Sequence, residues 1–252
     1  MSKTDFNHNT ANKVALITGG GRRIGAEIAT ILHNSGFRLA LHYRHSREHA
    51  QALQDKLNGI RPDSVILIQA DLHVTNGLSS LVHSTLESFG QLDVVINNAS
   101  SFYPTPIGKA TEQDWEDLMG SNLKAPFFLA QAAAPALKKS HGCIVNIVDI
   151  HSERPLKEHP LYCMAKAGLA MMTKSLAKEL GPEVRVNGVS PGAILWPENE
   201  MDQLTQQRII SRSFLKRQGS PSDIAQTVLF LATQAYITGQ IIAVDGGRSL
   251  NS

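Results

Sequence analysis

Short aliphatic runs alternate with longer amphipathic segments along the chain, beginning at Lys13. Each aliphatic run has the length and composition of a buried strand, and each longer segment has apolar residues at helical spacing. This alternation predicts a parallel sheet with helices on both faces, because parallel strands need crossover connections. The predicted strands are Val14–Ile17, Arg38–His42, Val65–Gln69, Val94–Ile96, Cys143–Val148, Arg185–Val189 and Ile241–Val244. The fold class is therefore α/β, a doubly wound sheet of seven parallel strands.

Helical patterns fill the gaps between these strands. The predicted helices are Arg23–Ser35, Arg47–Leu57, Leu78–Phe89, Trp115–Lys138, Leu161–Leu180 and Asp223–Ala235. Gly36, Gly90 and Gly181 follow three of them, where glycine is favoured as a helix stop. The stretch Ser190–Gly219 has no regular pattern, and long loops in compact domains are usually functional. We expect it to be a substrate loop.

Composition and charge narrow the class of protein. The 252 residues are 42% hydrophobic, with 24 Lys and Arg against 22 Asp and Glu. This nearly balanced, globular composition argues against nucleic acid or a membrane surface as a partner. The two cysteines are not spaced as metal ligands, so no metal is expected. The polar first residues and the lack of a long apolar stretch predict a frayed segment 1–12, a single domain over 13–252 and a cytoplasmic location.

A glycine-rich turn connects the first predicted strand to the first predicted helix. It reads Thr18-Gly19-Gly20-Gly21-Arg22-Arg23-Ile24-Gly25. Glycines in this position let the backbone approach a pyrophosphate, whose charge is met by the helix N-terminus. The turn predicts a dinucleotide site, and a plain strand-to-helix connection is the alternative.

The end of the second predicted strand indicates which dinucleotide would bind. An NAD site usually has Asp or Glu here to bind the ribose 2′-hydroxyl, whereas this chain has Arg44, His45 and Ser46. With Arg22 from the turn, these residues suit a 2′-phosphate. NADPH is therefore the expected cofactor, and a solvated basic loop is the alternative.

Tyr162 and Lys166 form a candidate reaction centre. They are four residues apart on a predicted helix, so their side chains share one face. An ammonium near a phenol favours the phenolate, and we expect it to lower the pKa of Tyr162 from about 10 toward working pH. The same spacing is common in surface pairs, so the position of the motif after the fifth strand matters more than the spacing.

Together these motifs resemble the short-chain dehydrogenase/reductase family over about residues 13–250. The family pattern continues with Asn97-Asn98-Ala99 after the fourth strand, Asn122 in the next helix and Pro191-Gly192 after the sixth strand. The resemblance implies that Asn122 acts with Tyr162 and Lys166 in catalysis. It also implies these cofactor contacts: Gly19, Arg22, Arg23, Ile24, Arg44, His45, Ser46, Asp71, Leu72, Asn98, Ala99, Ser100, Tyr162, Lys166, Pro191 and Gly192.

Asp149 occupies the position where most of that family has a serine, thirteen residues before the tyrosine. A carboxylate about 4 Å from a developing alkoxide would cost on the order of 4 kcal/mol at an effective dielectric of about 20. Ketone reduction is therefore disfavoured. A C=N bond is instead activated by protonation at nitrogen, and Asp149 would stabilise that positive charge. The alternative is that Asp149 caps the following turn.

Two further features resemble pteridine reductases. Arg23 replaces the middle glycine of the turn, and Ser100-Ser101-Phe102-Tyr103-Pro104-Thr105-Pro106 closely matches a pteridine reductase segment. The resemblance implies that Phe102 stacks on a flat pterin ring, opposite the nicotinamide. The implied substrate-binding residues are Arg23, Ser100, Phe102, Asp149, Tyr162 and Trp196.

The predicted function is NADPH-dependent reduction of a dihydropterin: dihydrobiopterin, dihydromonapterin or dihydrofolate. Two alternatives stay open. One is a carbonyl reductase of the same family, such as a 3-oxoacyl thioester reductase, and the other is a non-catalytic NADP-binding sensor or scaffold. The resemblance also implies a homotetramer built through the helices Trp115–Lys138 and Leu161–Leu180.

Overall fold

A computed structural model describes residues 10–196 and 202–251. Within this part of the chain, seven strands form one parallel sheet in the order β3-β2-β1-β4-β5-β6-β7. The strands are β1 Val14–Ile17, β2 Arg38–Tyr43, β3 Val65–Gln69, β4 Val94–Asn97, β5 Cys143–Ile147, β6 Arg185–Pro191 and β7 Ile241–Val244. The predicted fold class is confirmed. The order reverses between β1 and β4, and sheets of this kind bind ligands at the carboxyl ends of the strands at such a point.

Helices cover both faces of the sheet. They are α1 Arg23–Asn34, α2 Arg47–Ile60, α3 Leu78–Phe89, α4 Glu112–Met119, α5 Ala125–Ser140, α6 Pro160–Leu180, α7 Gln203–Ser211 and α8 Pro221–Thr233. Alternate residues of β1 belong to different cores: Ile17 packs with Ile28 and Leu231 on one face, and Leu16 packs with Leu81 and Leu129 on the other. This two-sided burial explains why the strands read as continuous apolar runs. None of the helices in the described part of the chain has the length and apolar character needed to span a membrane.

The predicted helix Trp115–Lys138 is two helices joined by a wider π-helical turn, Gly120–Lys124. The sequence-based prediction was wrong here because the apolar pattern continues through the turn. The first helix begins earlier than predicted because Thr111 and Asp114 cap it reciprocally: each side chain accepts a hydrogen bond from the other's backbone N–H. Turns of this type frequently mark functional sites, and this one carries Asn122.

The stretch Ser190–Gly219 is more regular than predicted. β6 extends to Pro191, and α7 occupies part of the stretch, with the side chain of Asp202 accepting a hydrogen bond from the Thr205 N–H at 2.9 Å. A nine-residue helix in an expected loop was missed because its apolar residues are few and it buries none of them. Residues 197–201, in the middle of the predicted substrate loop, lie outside the described residues.

The predictions for three helix ends are confirmed only in part. Gly36 and Gly90 adopt the left-handed conformation expected after a helix, with φ of 99° and 75°. Gly181 also ends its helix but is extended, so it does not form that cap. Of the predicted frayed segment, residues 1–9 lie outside the described residues, and the Asn12 N–H donates to the Gly36 carbonyl at 3.2 Å.

Candidate active site

A groove of about 790 Å³ follows the carboxyl ends of β1 to β4. It brings together most of the predicted cofactor residues with Phe102 of the predicted substrate site. Its lining includes Gly19, Arg22, Arg23, Ile24, Arg44, His45, Ser46, Asp71, Leu72, Asn98, Ala99, Ser100, Phe102 and Tyr162. The other predicted site residues do not belong to this lining: Asn122, Asp149, Lys166, Pro191, Gly192 and Trp196.

The glycine-rich turn is packed too closely for side chains. A Cβ atom on Gly25 would lie 2.1 Å from the carbonyl oxygen of Gly19, and one on Gly19 would lie 3.2 Å from the Cα of Ala99. Asn98 holds this turn from the end of β4, because its amide donates to the carbonyls of Thr18 and Gly19 at 2.9 and 3.0 Å. The bare backbone beside the groove is the arrangement that a pyrophosphate requires.

Arg23 adopts a left-handed conformation, with φ of 51°, at the position where the family pattern has glycine. This conformation costs a residue with a Cβ atom about 1–2 kcal/mol, and such strain is concentrated at functional sites. The Arg23 guanidinium donates to the carbonyl of Trp196 at 2.9 Å. Two predicted substrate residues that are 173 positions apart in the chain are therefore in contact.

His42 is a site residue that the sequence interpretation missed. Its side chain is buried at the end of β2, where Nδ1 accepts from the Gly19 N–H at 3.2 Å and Nε2 donates to the Ala70 carbonyl at 3.1 Å. These partners require a neutral ring with the proton on Nε2, and burial lowers its pKa below 6.5. A polar residue ending an apolar strand beside the turn was the available signal.

Arg44 and Asp71 form an ion pair of 2.9 Å in the groove, with both side chains partly exposed. The backbone N–H of His73 and then the charge of Arg44 hold the pKa of Asp71 below its usual value, against the effect of burial. Ser46 lies two residues after Arg44, at the N-cap position of α2. Its side chain makes no capping hydrogen bond to the helix. Two predicted cofactor residues, Arg44 and Asp71, thus meet at one end of the groove.

Asp149 and Tyr162 are hydrogen-bonded at the other end of the groove. The Tyr162 hydroxyl donates to Oδ2 of Asp149 at 2.8 Å. The second carboxylate oxygen, Oδ1, accepts from the backbone N–H of His151 at 2.8 Å. The two interpretations of Asp149 are therefore compatible: it caps the turn Ile150–Ser152 and also faces the candidate proton donor.

The predicted lowering of the Tyr162 pKa was wrong. Burial first, and then the charge of Asp149, raise the pKa of Tyr162 well above 10. Lys166 donates to the Ile147 carbonyl at 2.9 Å and lies 5.7 Å from the centre of the Tyr162 ring. Burial lowers the pKa of Lys166 to about 8, against the effect of Asp149. After burial, the carboxylate that replaces the family serine has the largest effect on the Tyr162 pKa.

Asn122 organises the segment that leads to Phe102. Its Oδ1 accepts from the Ser100 hydroxyl at 2.7 Å, and its amide donates to the carbonyls of Ser101 and Leu118 at 3.0 and 2.9 Å. The π-helical turn therefore connects α4 to the predicted pterin segment. The catalytic role of Asn122 stays a prediction.

Phe102 is 46% exposed and presents its ring to the groove. Its ring meets that of Tyr162 edge to face, with centroids 4.8 Å apart and planes at 78°. A flat ligand stacked on Phe102 would therefore lie next to the Tyr162 hydroxyl.

Pro191 and Gly192 lie where β6 meets β7. The Gly192 N–H donates to the Val244 carbonyl at 3.1 Å, and a Cβ atom on Gly192 would lie 2.7 Å from the Cα of Asp245. Close packing against Asp245 explains why position 192 is a glycine. The predicted contact of Gly192 with the cofactor stays a prediction. Among residues 10–196 and 202–251, no cluster of three or more His, Cys, Asp or Glu side chains could hold a metal ion.

Comparison with known proteins identifies the family. A family model described as Enoyl-(Acyl carrier protein) reductase matches residues 20–249. Pteridine reductase 1 of Leishmania tarentolae is 37% identical over 278 residues, covering 94% of this chain and 96% of that protein. The 3-oxoacyl-[acyl-carrier-protein] reductase FabG of Staphylococcus aureus is 35% identical over 241 residues, covering 93% and 97%.

The chain belongs to the short-chain dehydrogenase/reductase family. It is an oxidoreductase of a family that binds NAD(P)H. The two relatives are named for different substrates and resemble this chain to nearly the same degree, so the substrate must be argued from the site itself.

Proposed function

We propose that this protein is an NADPH-dependent pteridine reductase that converts a dihydropterin to its tetrahydro form. The observation that supports this most strongly is the 2.8 Å hydrogen bond from Tyr162 to Asp149. The substrate class comprises dihydrobiopterin, dihydromonapterin and dihydrofolate.

The groove fits the cofactor in charge and in shape. Arg22, Arg44, His45 and Ser46 line one end of it and would hold a 2′-phosphate, and the bare glycine turn would hold the pyrophosphate. NADPH, when bound, supplies the hydride. The partly exposed Arg44–Asp71 ion pair can rearrange to meet a phosphate at small cost.

Asp149 favours a nitrogen substrate over a carbonyl substrate. Reduction of a ketone concentrates negative charge on oxygen, and a carboxylate about 4 Å away would slow it by roughly three decades. Reduction of C=N adds hydride to carbon and a proton to nitrogen. We place that proton transfer at the Asp149–Tyr162 pair. The Tyr162 hydroxyl would turn from Asp149 to the ring nitrogen, give up its proton as hydride reaches the ring carbon, and regain a proton from solvent, while Asp149 stabilises positive charge that develops on the ring.

The raised pKa of Tyr162 keeps its hydroxyl protonated across working pH and also makes it a weak acid. Its proton can therefore pass only to a ring nitrogen that hydride addition has made strongly basic. Phe102 would hold the flat ring by stacking, and Arg23 would reach it from the turn. Lys166 donates to the Ile147 carbonyl and places its amine 5.7 Å from the centre of the Tyr162 ring.

A carbonyl reductase of the same family is the second candidate, favoured by the 35% identity to the oxoacyl reductase. The third, a non-catalytic NADP-binding sensor or scaffold, would not need the buried Tyr162 and Lys166. NADPH oxidation should be measured with dihydrobiopterin and with an acetoacetyl thioester, in the wild type and in Tyr162→Phe. We expect turnover with the pterin alone and its loss in the variant. Turnover with the thioester alone would support the carbonyl reductase, and binding without any turnover would support the sensor.

We also propose a cytoplasmic homotetramer of single-domain subunits, with α4, α5 and α6 at the interfaces. Large apolar side chains are exposed on these helices at Trp115, Phe127, Phe128, Met164 and Met171. Large apolar side chains exposed on these helices support an interface between copies. Light scattering of the purified protein should give four times the mass of 27.4 kDa.

A further inference from the structure

The imidazole of His159 is stacked on the ring of Phe102. The centroids are 4.8 Å apart and the planes differ by 15°. Phe102 and Tyr162 line the groove, whereas His159 contacts Phe102 without belonging to that lining. We propose that His159 is a positioning residue that holds Phe102 in the orientation needed to stack a flat heteroaromatic substrate. This inference rests on the proposed pterin reductase function.

Two neighbours restrict the Phe102 ring in different directions. His159 covers one face, and Tyr162 meets the ring at 78°. A phenylalanine ring without such neighbours rotates about two side-chain torsions, and ordering it on binding costs affinity. A flat substrate ring in the groove would then meet a Phe102 ring whose orientation these two contacts already fix.

His159 is itself held in place. It stands at the N-cap of α6, and its Nδ1 donates to the Lys157 carbonyl at 2.8 Å. The adjacent Glu158 carbonyl accepts from the Thr105 N–H at 2.6 Å, which joins this segment to the one that carries Phe102. Because Tyr162 lies on the same helix one turn later, His159 sets the position of Phe102 relative to the proposed proton donor.

The test compares His159→Ala with the aromatic variant His159→Phe, and His83→Ala serves as the control. His83 is 72% exposed on α3 and contacts Glu87. We expect His159→Ala to raise KM for dihydrobiopterin about three- to ten-fold, the range that aromatic stacking supplies. The KM for NADPH should be unchanged, and kcat should fall less than KM rises. His159→Phe should restore the pterin KM, and His83→Ala should have no effect.

A second measurement needs no substrate. With 4-fluorophenylalanine incorporated in place of Phe102, the ¹⁹F resonance reports the ring current of the stacked neighbour. We expect His159→Ala to move this resonance and His159→Phe to return it toward the wild-type position. An unmoved resonance, or equal losses toward pterin and NADPH in His159→Ala, would overturn the proposal.

The two measurements separate this inference from the proposed function. A wild type that oxidises NADPH with no pterin would end the proposed function, and with it the substrate that Phe102 is said to stack. A wild type active on pterins whose His159→Ala variant keeps the same pterin KM would end only the role of His159.

Discussion

The hydroxyl of Tyr162 donates a 2.8 Å hydrogen bond to Asp149, thirteen residues earlier in the chain. A serine at position 149 could donate to a carbonyl oxygen, whereas a carboxylate can only accept or stabilise positive charge. This one exchange changes which atom of a substrate the site can protonate.

We predict that Lys166 lowers the free energy of unfolding near neutral pH, although the proposed reaction requires it. Its pKa is lowered from 10.5 to about 8, so the folded state binds fewer protons than the unfolded state between these values. Stability should therefore rise with pH from about 8 to 10.5. Near neutral pH the charged amine opposes folding by about 3 kcal/mol, offset by its hydrogen bond to Ile147, which contributes about 1–3 kcal/mol.

We therefore expect Lys166→Met to raise the free energy of unfolding by about 1 kcal/mol near neutral pH, while activity is lost. Urea unfolding of the variant and the wild type on either side of pH 8 measures this. A destabilised variant whose deficit is independent of pH would contradict the prediction.

His42 should make cofactor binding sensitive to acid. Its pKa is lowered below 6.5 mainly by burial, although its hydrogen bond to Ala70 and the charge of Asp71 oppose this. The neutral ring therefore contributes stability above pH 6.5, and this stability is lost as pH falls through the folded-state pKa. A protonated Nδ1 cannot accept from the Gly19 N–H, so the turn loses its support.

The affinity for NADPH should accordingly decline in wild type as the pH is lowered from about 7 to about 5. His42→Gln should bind NADPH more weakly at pH 7 and show a flatter dependence. Fluorescence titration of both proteins across this range is the measurement, with His83→Ala as the matched histidine control. The same slope in His42→Gln and wild type would rule out this role.

Arg44 should determine the preference for NADPH over NADH. Its guanidinium reaches the groove beside Asp71, where a 2′-phosphate would add charge-assisted hydrogen bonds. Arg44→Ala should raise KM for NADPH about ten- to a hundred-fold and leave KM for NADH nearly unchanged. Steady-state kinetics with both cofactors decides this, and an equal loss with both would show that Arg44 acts on the shape of the site instead.

The fold and the composition of the site could largely be predicted from the sequence. The runs around Val14, Val94 and Cys143 predict strands because both faces of a parallel sheet are buried. The glycine turn and the Tyr162–Lys166 spacing are local features that can be recognised in the sequence. The order of the strands then determines where the elements that carry them lie in the fold.

Features that depend on contacts between distant segments could not be predicted. The raised pKa of Tyr162 requires knowing that its hydroxyl faces Asp149, because the spacing to Lys166 alone indicates the opposite direction. His42 and His159 have partners from other elements or loops, so no periodicity marks them. The π-helical turn at Asn122 lies inside an unbroken apolar pattern.

The most direct test of the account is the substrate preference of Asp149→Ser. The ratio of kcat/KM for dihydrobiopterin to kcat/KM for an acetoacetyl thioester should be measured in the wild type and in the variant. We predict that the ratio favours the pterin in the wild type and falls by about a hundred-fold or more in the variant, through loss of pterin turnover and gain of thioester turnover. An unchanged ratio, or a wild type that prefers the thioester, would contradict the role assigned to Asp149.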